Sequence, residues 1–204
     1  MMNHYPQAAG MFGRHLPYPH HPSFVRQEIE NHFDNMLAKP LVLSRETDPL
    51  LWESGDVSWR QFLHFYSDNN SAMRRSVWQV RPYPEIDYGE DQVWARDIIE
   101  AGLTKLYAPT VRVYHSHDLT PQEAYKRSKI EGAFFCEHFG YMLGEGTLEE
   151  LEERISEQQK MLRKWGLRHA VPEEEIAHRQ DLLAYKCRGW RDGRLEALEG
   201  IRKR

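Results

Sequence analysis

Apolar residues recur with two different spacings in the first part of the chain, and these spacings predict both strands and helices. A short run of small apolar residues, Ala8–Gly13, is typical of a buried strand. Apolar positions at helical spacing predict helices over residues 23–37 and 90–101, the second ending at a glycine. Short strands are predicted at 104–107 and 111–115, separated by a proline. We therefore expect an α/β fold in this part.

Three further segments of the same part have short or irregular apolar patterns. Residues 59–66 carry apolar side chains at a spacing that fits either a strand or a short turn of helix, and we favour a strand near the end of the segment. A short helix is predicted at 76–80, because prolines follow it directly. Residues 40–55 show no regular pattern, so they are predicted to be irregular.

The remainder of the chain has a helical pattern. Thr120-Pro121-Gln122-Glu123 is a capping box with proline in the first turn, which marks the start of a helix. The predicted helices cover about residues 120–139, 147–165 and 172–189, the last fraying at a glycine. Because the composition changes at Gly140, we predict an α/β part at 1–139 and a helical extension at 140–204.

Net charge, cysteine count and the length of apolar runs exclude some classes of function and indicate a cellular compartment. The 204-residue chain has a formal net charge of −4, which argues against general nucleic-acid binding because that requires a basic surface. Cys136 and Cys187 form no Cys-x-x-Cys pair and are too few for a disulfide scaffold, so we expect two reduced thiols. No apolar run approaches the ~20 residues that span a bilayer, and the start lacks the apolar core of a signal peptide. We therefore expect a cytoplasmic protein, and docking at the inner face of the membrane stays open.

Two adjacent acids begin the helix predicted at 90–101. Glu90 and Asp91 follow Gly89, and negative charge at a helix N-terminus is explained by the helix dipole alone. The functional alternative is that Asp91 is a general base and Glu90 orients or contacts an acceptor. A base must reach one hydroxyl and be ionised at neutral pH, and a helix N-terminus favours the ionised form.

Two histidines end the last predicted strand of this part. His115 and His117 are two residues apart, so alternation places both on one face. They are either edge histidines that bond to the backbone or ligands of a metal ion, which would need further oxygen ligands. The other histidines show no zinc-type spacing with cysteine and are expected on the surface or in loops: His15, His20, His21, His32, His64, His138, His169 and His178.

A polar segment, Asp68-Asn69-Asn70-Ser71, precedes two arginines. Asp, Asn and Ser favour turns and helix caps, so a purely structural role is one interpretation. The other is a wall that hydrogen-bonds sugar hydroxyls, with Arg74 or Arg75 near phosphates. The tryptophans of this part are expected in the core rather than as sugar-stacking platforms: Trp52, Trp59, Trp78 and Trp94.

In combination these segments resemble a family 2 glycosyltransferase of the bacterial rhamnosyltransferase-like kind, over about residues 8–138. The similar segments are Ala9 to Pro17, Phe65 to Arg75, Gly89 to Ala95, Glu100-Ala101-Gly102 and Val113 to His117. The resemblance implies a GT-A fold, which is a nucleotide-binding α/β sandwich with a largely parallel sheet. It also implies an inverting transfer of a sugar, rhamnose being one candidate, from a nucleotide sugar to a glycan or lipid-linked acceptor.

The resemblance also assigns roles to residues. The family's Glu-Asp pair falls on Glu90 and Asp91, with Asp91 as the catalytic base. A divalent cation, Mg²⁺ or Mn²⁺, would steady the departing diphosphate. A late histidine ligand of that cation falls on His115 or His117, and the sequence does not decide between them.

One departure from the family pattern concerns the donor site. Such enzymes carry an Asp-x-Asp motif for the metal and the nucleotide, and this chain contains none. We therefore expect a partial GT-A sandwich that lacks its N-terminal nucleotide-binding strands. Three interpretations stay open: a truncated reading frame, a split enzyme completed by a chain carrying that half, or one portion of a larger protein. The alternative is a non-catalytic interaction protein whose helical extension binds a partner. On either account, the isolated chain is expected to bind nucleotide sugars poorly.

Overall fold

A mixed β-sheet forms the centre of the first part of the chain in a computed structural model that describes residues 2–203. Its strands are β1 (Ala8–Leu16), β2 (Val42–Leu43), β3 (Ser71–Met73) and β4 (Thr104–Tyr114), in the order β2-β4-β1-β3. The central pair, β1 and β4, is parallel, whereas β2 and β3 lie antiparallel at the two edges. The α/β class is therefore confirmed, with a sheet that is mixed rather than largely parallel.

Eight α-helices accompany the sheet within residues 2–203. They are α1 (Ser23–Leu37), α2 (Pro49–Glu53), α3 (Val57–His64), α4 (Arg75–Trp78), α5 (Glu90–Glu100), α6 (Pro121–Phe139), α7 (Leu148–Arg168) and α8 (Glu173–Arg202). The periodicity had predicted α1, α5, α6 and α7 to within a few residues. Capping boxes open α6 at Thr120 and α7 at Thr147, as the sequence signature requires.

The strand favoured near residues 59–66 is wrong, because most of that segment is α3. Asp56 lies at the N-cap, and its Oδ1 accepts a hydrogen bond of 2.7 Å from the Trp59 amide. Phe65, just past the end of the helix, has an extended backbone but forms no strand. The irregular segment predicted at 40–55 likewise contains β2 and α2.

The two strands predicted on either side of Pro109 form one strand, β4. The register passes directly from Gly13↔Ala108 to Arg14↔Arg112, so residues 109–111 bulge out of the ladder. The Asn70 side-chain amide donates to the carbonyl of Val111 at 3.1 Å, within this bulge. Pro109 is tolerated because a residue outside the ladder needs no amide hydrogen for pairing.

The main apolar core packs on the sheet and includes aromatic rings from strands, helices and loops. Phe12 of β1 stacks on Tyr107 of β4 at 5.2 Å between ring centroids. Trp59 and Trp94 are buried in this core, as predicted. Trp78 is 47% exposed, so the expectation of a core position is wrong for that residue.

The chain divides into two compact units, and the division comes earlier than the change in composition. The first unit contains the residues up to His21 and Val25–His117; the second contains Pro22–Phe24 and the chain from Asp118 onward. The helix α6, predicted as the end of the α/β part, thus belongs to the helical unit. The reason is that α6 packs along α8, where a Cβ on Gly132 would lie 2.3 Å from the carbonyl oxygen of Trp190.

The helix predicted to fray at Gly189 instead continues to Arg202. Gly189 was interpreted as a helix stop, but in the structure Gly189 and Gly193 both lie against the backbone of α6. A Cβ on Gly189 would lie 2.5 Å from the carbonyl oxygen of Tyr125. These glycines therefore permit close approach of two helices rather than ending one.

The two cysteines, Cys136 and Cys187, are free and buried, and burial raises the pKa of both thiols. Within residues 2–203, the helices are all too short or too polar to cross a membrane.

Candidate functional site

Asp91 lies in the first turn of α5, where backbone amides hold its carboxylate from two sides. Gly89 precedes the helix with φ of 73°, a left-handed conformation that favours glycine and turns the chain into the helix. Oδ1 of Asp91 accepts a 2.7 Å hydrogen bond from the amide of Gln92. Oδ2 accepts a 3.3 Å bond from the amide of Asp68. The structure thus brings the predicted base and the polar segment together.

The carboxyl of Asp91 has an unusually high pKa. Burial is the main cause and raises the pKa to about 6, while the negative charges of Asp68 and Glu90 act in the same direction. The two amide hydrogen bonds favour the ionised form and limit the rise. A carboxylate with a pKa near neutrality is both ionised at pH 7 and able to accept a proton in a reaction.

The polar segment separates into exposed and structural residues. Asp68 and Asn69 are exposed, and their side chains can reach a ligand. Asn70 instead donates its side-chain amide to the carbonyls of Arg14 at 3.4 Å and Val111 at 3.1 Å. Asn70 therefore ties β1 to the bulge of β4.

Arg74 lies at the opposite end of β1 from this segment. Its guanidinium donates to the carbonyls of Ala8 at 3.0 Å, Met2 at 3.2 Å and Tyr5 at 3.3 Å. These contacts hold the first residues of the chain against the strand. The structure does not bring Arg74 together with Asp91.

His115 and His117 lie beside a third histidine, His15 of β1. Their ring centroids are 4.9 Å apart for His15 and His115, and 4.8 Å apart for His115 and His117. Nε2 of His15 lies 3.2 Å from Oγ of Ser67. Ser67 adjoins Asp68, whose amide bonds to Asp91, so two adjacent residues connect the histidines to the candidate base.

The expectation that His15 and His64 lie on the surface or in loops is wrong. His15 is 7% exposed and His64 is 4% exposed. Burial, followed by the charges of His115, His32 and His117, lowers the pKa of His15 to about 4. Their isolated positions in the sequence carry no sign of burial, because the covering residues are distant in the chain.

The metal role of His115 and His117 depends on further ligands close to them. In the described part of the chain, no group of three or more His, Cys, Asp or Glu side chains could hold a metal ion. The rings of His15, His115 and His117 instead contact one another edge to face. The described residues alone therefore do not fit a cation site.

Sequence reasoning missed two residues near Asp91. Lys105 is a fully buried lysine in β4, and the negative charge of Asp91 acts on it. Its place among the apolar residues of a predicted strand was the available signal. Tyr83 has its hydroxyl buried near Asp91 and Asp68; burial raises its pKa, and these charges add to the rise. Tyr83 lies between Pro82 and Pro84, and nothing in the sequence around it indicates a place near Asp91.

Asp91 is expected to lower the free energy of unfolding as pH rises from about 4 to about 6. The pKa of its carboxyl is about 6 in the folded protein against an ordinary value of 3.8, so the folded state binds more protons in this range. The stabilisation is therefore fully present below pH 3.8 and lost above about pH 6. The difference between a pKa of 3.8 and one of about 6 corresponds to at most about 3 kcal/mol in the free energy of unfolding.

The measurement is urea unfolding of the wild type and Asp91→Asn at pH 4 and pH 7. His15 titrates in the opposite sense, because its pKa is lowered to about 4 and its stabilisation is lost as pH falls. His15 is present in both proteins, so its effect cancels in the difference between their unfolding free energies. The unfolding free energy of the wild type minus that of Asp91→Asn should be smaller at pH 7 than at pH 4. An equal value at both pH values would show that the pKa of Asp91 is not raised in the folded protein.

Comparisons with protein-family models, with characterised proteins and with solved structures find no match to this chain. A functional assignment therefore rests on the residues and the geometry of the site.

Proposed function

We propose that this chain supplies the catalytic base and the acceptor-binding residues of an inverting glycosyl transfer. The observation that carries the proposal is the carboxylate of Asp91, which two backbone amides fix at a helix start and whose pKa is raised to about 6. The exposed residue Asp68 bonds to it through its backbone amide, and the exposed Asn69 is the next residue in the chain. A base next to groups that bind hydroxyls is the arrangement needed to activate a sugar hydroxyl.

The proposed reaction transfers a sugar, with rhamnose as the first candidate, from a nucleotide sugar to a glycan or lipid-linked acceptor. The carboxylate of Asp91 takes the proton of the acceptor hydroxyl, and that oxygen bonds to the anomeric carbon of the donor. The bond between this carbon and the diphosphate breaks, the nucleoside diphosphate leaves with the electron pair, and the configuration inverts. Glu90 adjoins the base and contacts the acceptor, while Asp68 and Asn69 bind its hydroxyls.

The proposal assigns the donor to a second polypeptide. The chain contains no Asp-x-Asp motif, so we propose a GT-A sandwich that is completed by a chain carrying the nucleotide-binding strands. Mg²⁺ or Mn²⁺, when bound, would neutralise charge on the leaving diphosphate. His115 or His117 would be one ligand, and the chain carrying the nucleotide-binding strands would have to supply the others. No step above is assigned to the cation, because the described residues do not form its site.

A donor screen tests the proposed function. The chain is assayed alone and co-expressed with a polypeptide that carries GT-A nucleotide-binding strands and an Asp-x-Asp motif, against a panel of UDP-, GDP- and dTDP-sugars with polysaccharide and lipid-linked acceptors. Mass spectrometry detects transfer, and NMR of the product gives its anomeric configuration. We expect transfer with inversion in the combination and no metal-dependent donor binding by the chain alone in calorimetry.

Three outcomes would contradict parts of this proposal. Transfer with retained configuration would exclude the mechanism. Micromolar, Mg²⁺- or Mn²⁺-dependent donor binding by the chain alone would show that it carries its own donor site. Absence of transfer from every donor would favour the non-catalytic interaction protein.

A further inference from the structure

Lys105 is fully buried in the first unit, on the central strand β4. It pairs in register with Gly10 of β1 and Leu43 of β2, and it is 0% exposed. Lysine is almost never fully buried unless its charge is paired or hydrogen-bonded, because removing the ammonium from water costs free energy. The proposed reaction gives Lys105 no role, so its contacts require a separate explanation.

The Lys105 side chain reaches the C-terminal end of α3. Nζ donates to the carbonyl of Phe65 and, at 3.4 Å, to the carbonyl of Phe62, and it lies 5.3 Å from the centre of the Phe12 ring. The last carbonyls of a helix have no partner within the helix, and they carry the negative end of its dipole. Lys105 therefore holds the point at which α3 ends and the chain becomes extended.

The residues that follow this point form the candidate site. Tyr66 donates its hydroxyl to the carbonyl of Met11 at 3.0 Å, which fixes the segment on β1. Ser67 contacts His15 at 3.2 Å, and the amide of Asp68 donates to Asp91 at 3.3 Å. Phe65 thus begins the short segment that carries the amide of Asp68 to the carboxylate.

We propose that Lys105 is a positioning residue for Asp91. It holds the end of α3 so that the amide of Asp68 reaches the carboxylate, and it interacts with Asp91 electrostatically through the protein interior. Its importance for turnover rests on the proposed glycosyl transfer, whereas the coupling between the two side chains does not.

Several other ionisable groups surround this pair, and the experiment must separate them. Asp68 and Glu90 act on Asp91, and the charges of Lys105, Arg96 and Arg60 all act on His64 at the end of α3. The buried hydroxyls of Tyr66 and Tyr83 also lie in the field of Asp91. Burial lowers the pKa of Lys105 well below its ordinary value, and the charge of Asp91 opposes that shift.

The test is a reciprocal NMR titration, which needs neither donor nor acceptor. Lysine labelled with ¹³C at Cε reports the pKa of Lys105 in the wild type, in Asp91→Asn and in the control Asp97→Asn, with the resonance assigned from Lys105→Met. Removing the charge of Asp91 should lower the pKa of Lys105 further, and Asp97→Asn should leave it unchanged. Coupling is reciprocal, so Lys105→Met should raise the pKa of Asp91 by a similar amount and shift the amide resonance of Asp68.

A purely structural lysine would give a different result. Lys105→Met would then reduce thermal stability but leave the pKa of Asp91 unchanged, and Asp91→Asn would leave the pKa of Lys105 unchanged; this result overturns the proposal. If Lys105→Met does not fold, the titration of Lys105 in Asp91→Asn still decides, with the assignment made by comparison with Lys105→Arg. If the pKa values of Lys105 and Asp91 depend on each other but the donor screen shows no glycosyl transfer, only the proposed function is refuted. If transfer occurs but the two pKa values are independent, only the role of Lys105 is refuted.

Discussion

Asp91→Asn is expected to reduce the rate of glycosyl transfer by at least about 100-fold and to leave donor binding almost unchanged. Asparagine keeps the size of the side chain, and its oxygen can still accept the hydrogen bond from the amide of Gln92. It cannot take a proton from the acceptor hydroxyl. The loss should therefore appear in kcat, measured by product formation in the combination that supports transfer.

The pH dependence of the wild type gives a second measurement of the same role. The base must be ionised, and burial raises the pKa of Asp91 to about 6. The rate of transfer should therefore rise with pH through about pH 6 and level off above it. Asp91→Asn should remove this dependence from its residual activity.

Asp97→Asn is the matched control for this substitution. Asp97 lies on the same helix, α5, and its side chain is 43% exposed and paired with Arg96 at 3.0 Å. A partly exposed pair of this kind contributes little to stability, so the control should fold and retain activity. Near-normal turnover in Asp91→Asn, or an equal loss in both variants, would show that Asp91 is not the base.

Gly193→Ala is expected to destabilise the helical unit by about 3 kcal/mol or more. A Cβ on Gly193 would lie 1.8 Å from the carbonyl oxygen of Lys129 and 2.9 Å from the amide nitrogen of Ala133. Both atoms belong to the backbone of α6, so no side-chain rotation can relieve the contact. The helices α6 and α8 would have to move apart along a seam that specific side-chain contacts also hold.

The contacts along this seam explain why separation is costly. The hydroxyl of Tyr125 donates to Asp192 at 2.8 Å, and Nε1 of Trp190 donates to Glu131 at 2.9 Å. Both bonds join α6 to α8 and depend on the close approach that the glycines allow. Moving the helices apart would lengthen both hydrogen bonds at the same time.

Urea or thermal unfolding followed by circular dichroism measures the effect, with Gly200→Ala as the control. Gly200 lies on the same helix, and no described atom outside its local backbone lies within 4 Å of the position that a Cβ would take there. Alanine is the better helix former by up to about 1 kcal/mol, so the control should be neutral or stabilising. If Gly193→Ala is as stable as Gly200→Ala, the close packing of α6 on α8 is wrong.

The sequence determined the features that depend on neighbouring residues. The capping boxes at Thr120 and Thr147 begin α6 and α7, because a cap bonds to an amide three residues away. The apolar stripe over 23–37 gave the bounds of α1 directly. The start of α5, with Asp91 in its first turn, could also be predicted, because Gly89 and the acidic pair that mark it lie within one turn of the helix.

Only the tertiary structure decided which polar groups are buried and with what they bond. His15 is buried by residues far along the chain, and Lys105 donates to carbonyls at the end of α3, about forty residues earlier. Asn70 was a candidate ligand-binding residue by its chemistry, yet its amide bonds to backbone carbonyls of two strands. The last helix was predicted to fray at Gly189, and this glycine became a packing contact once α6 lay against it. Burial and hydrogen-bond partners are set by residues distant in sequence, so composition and periodicity carry no record of them.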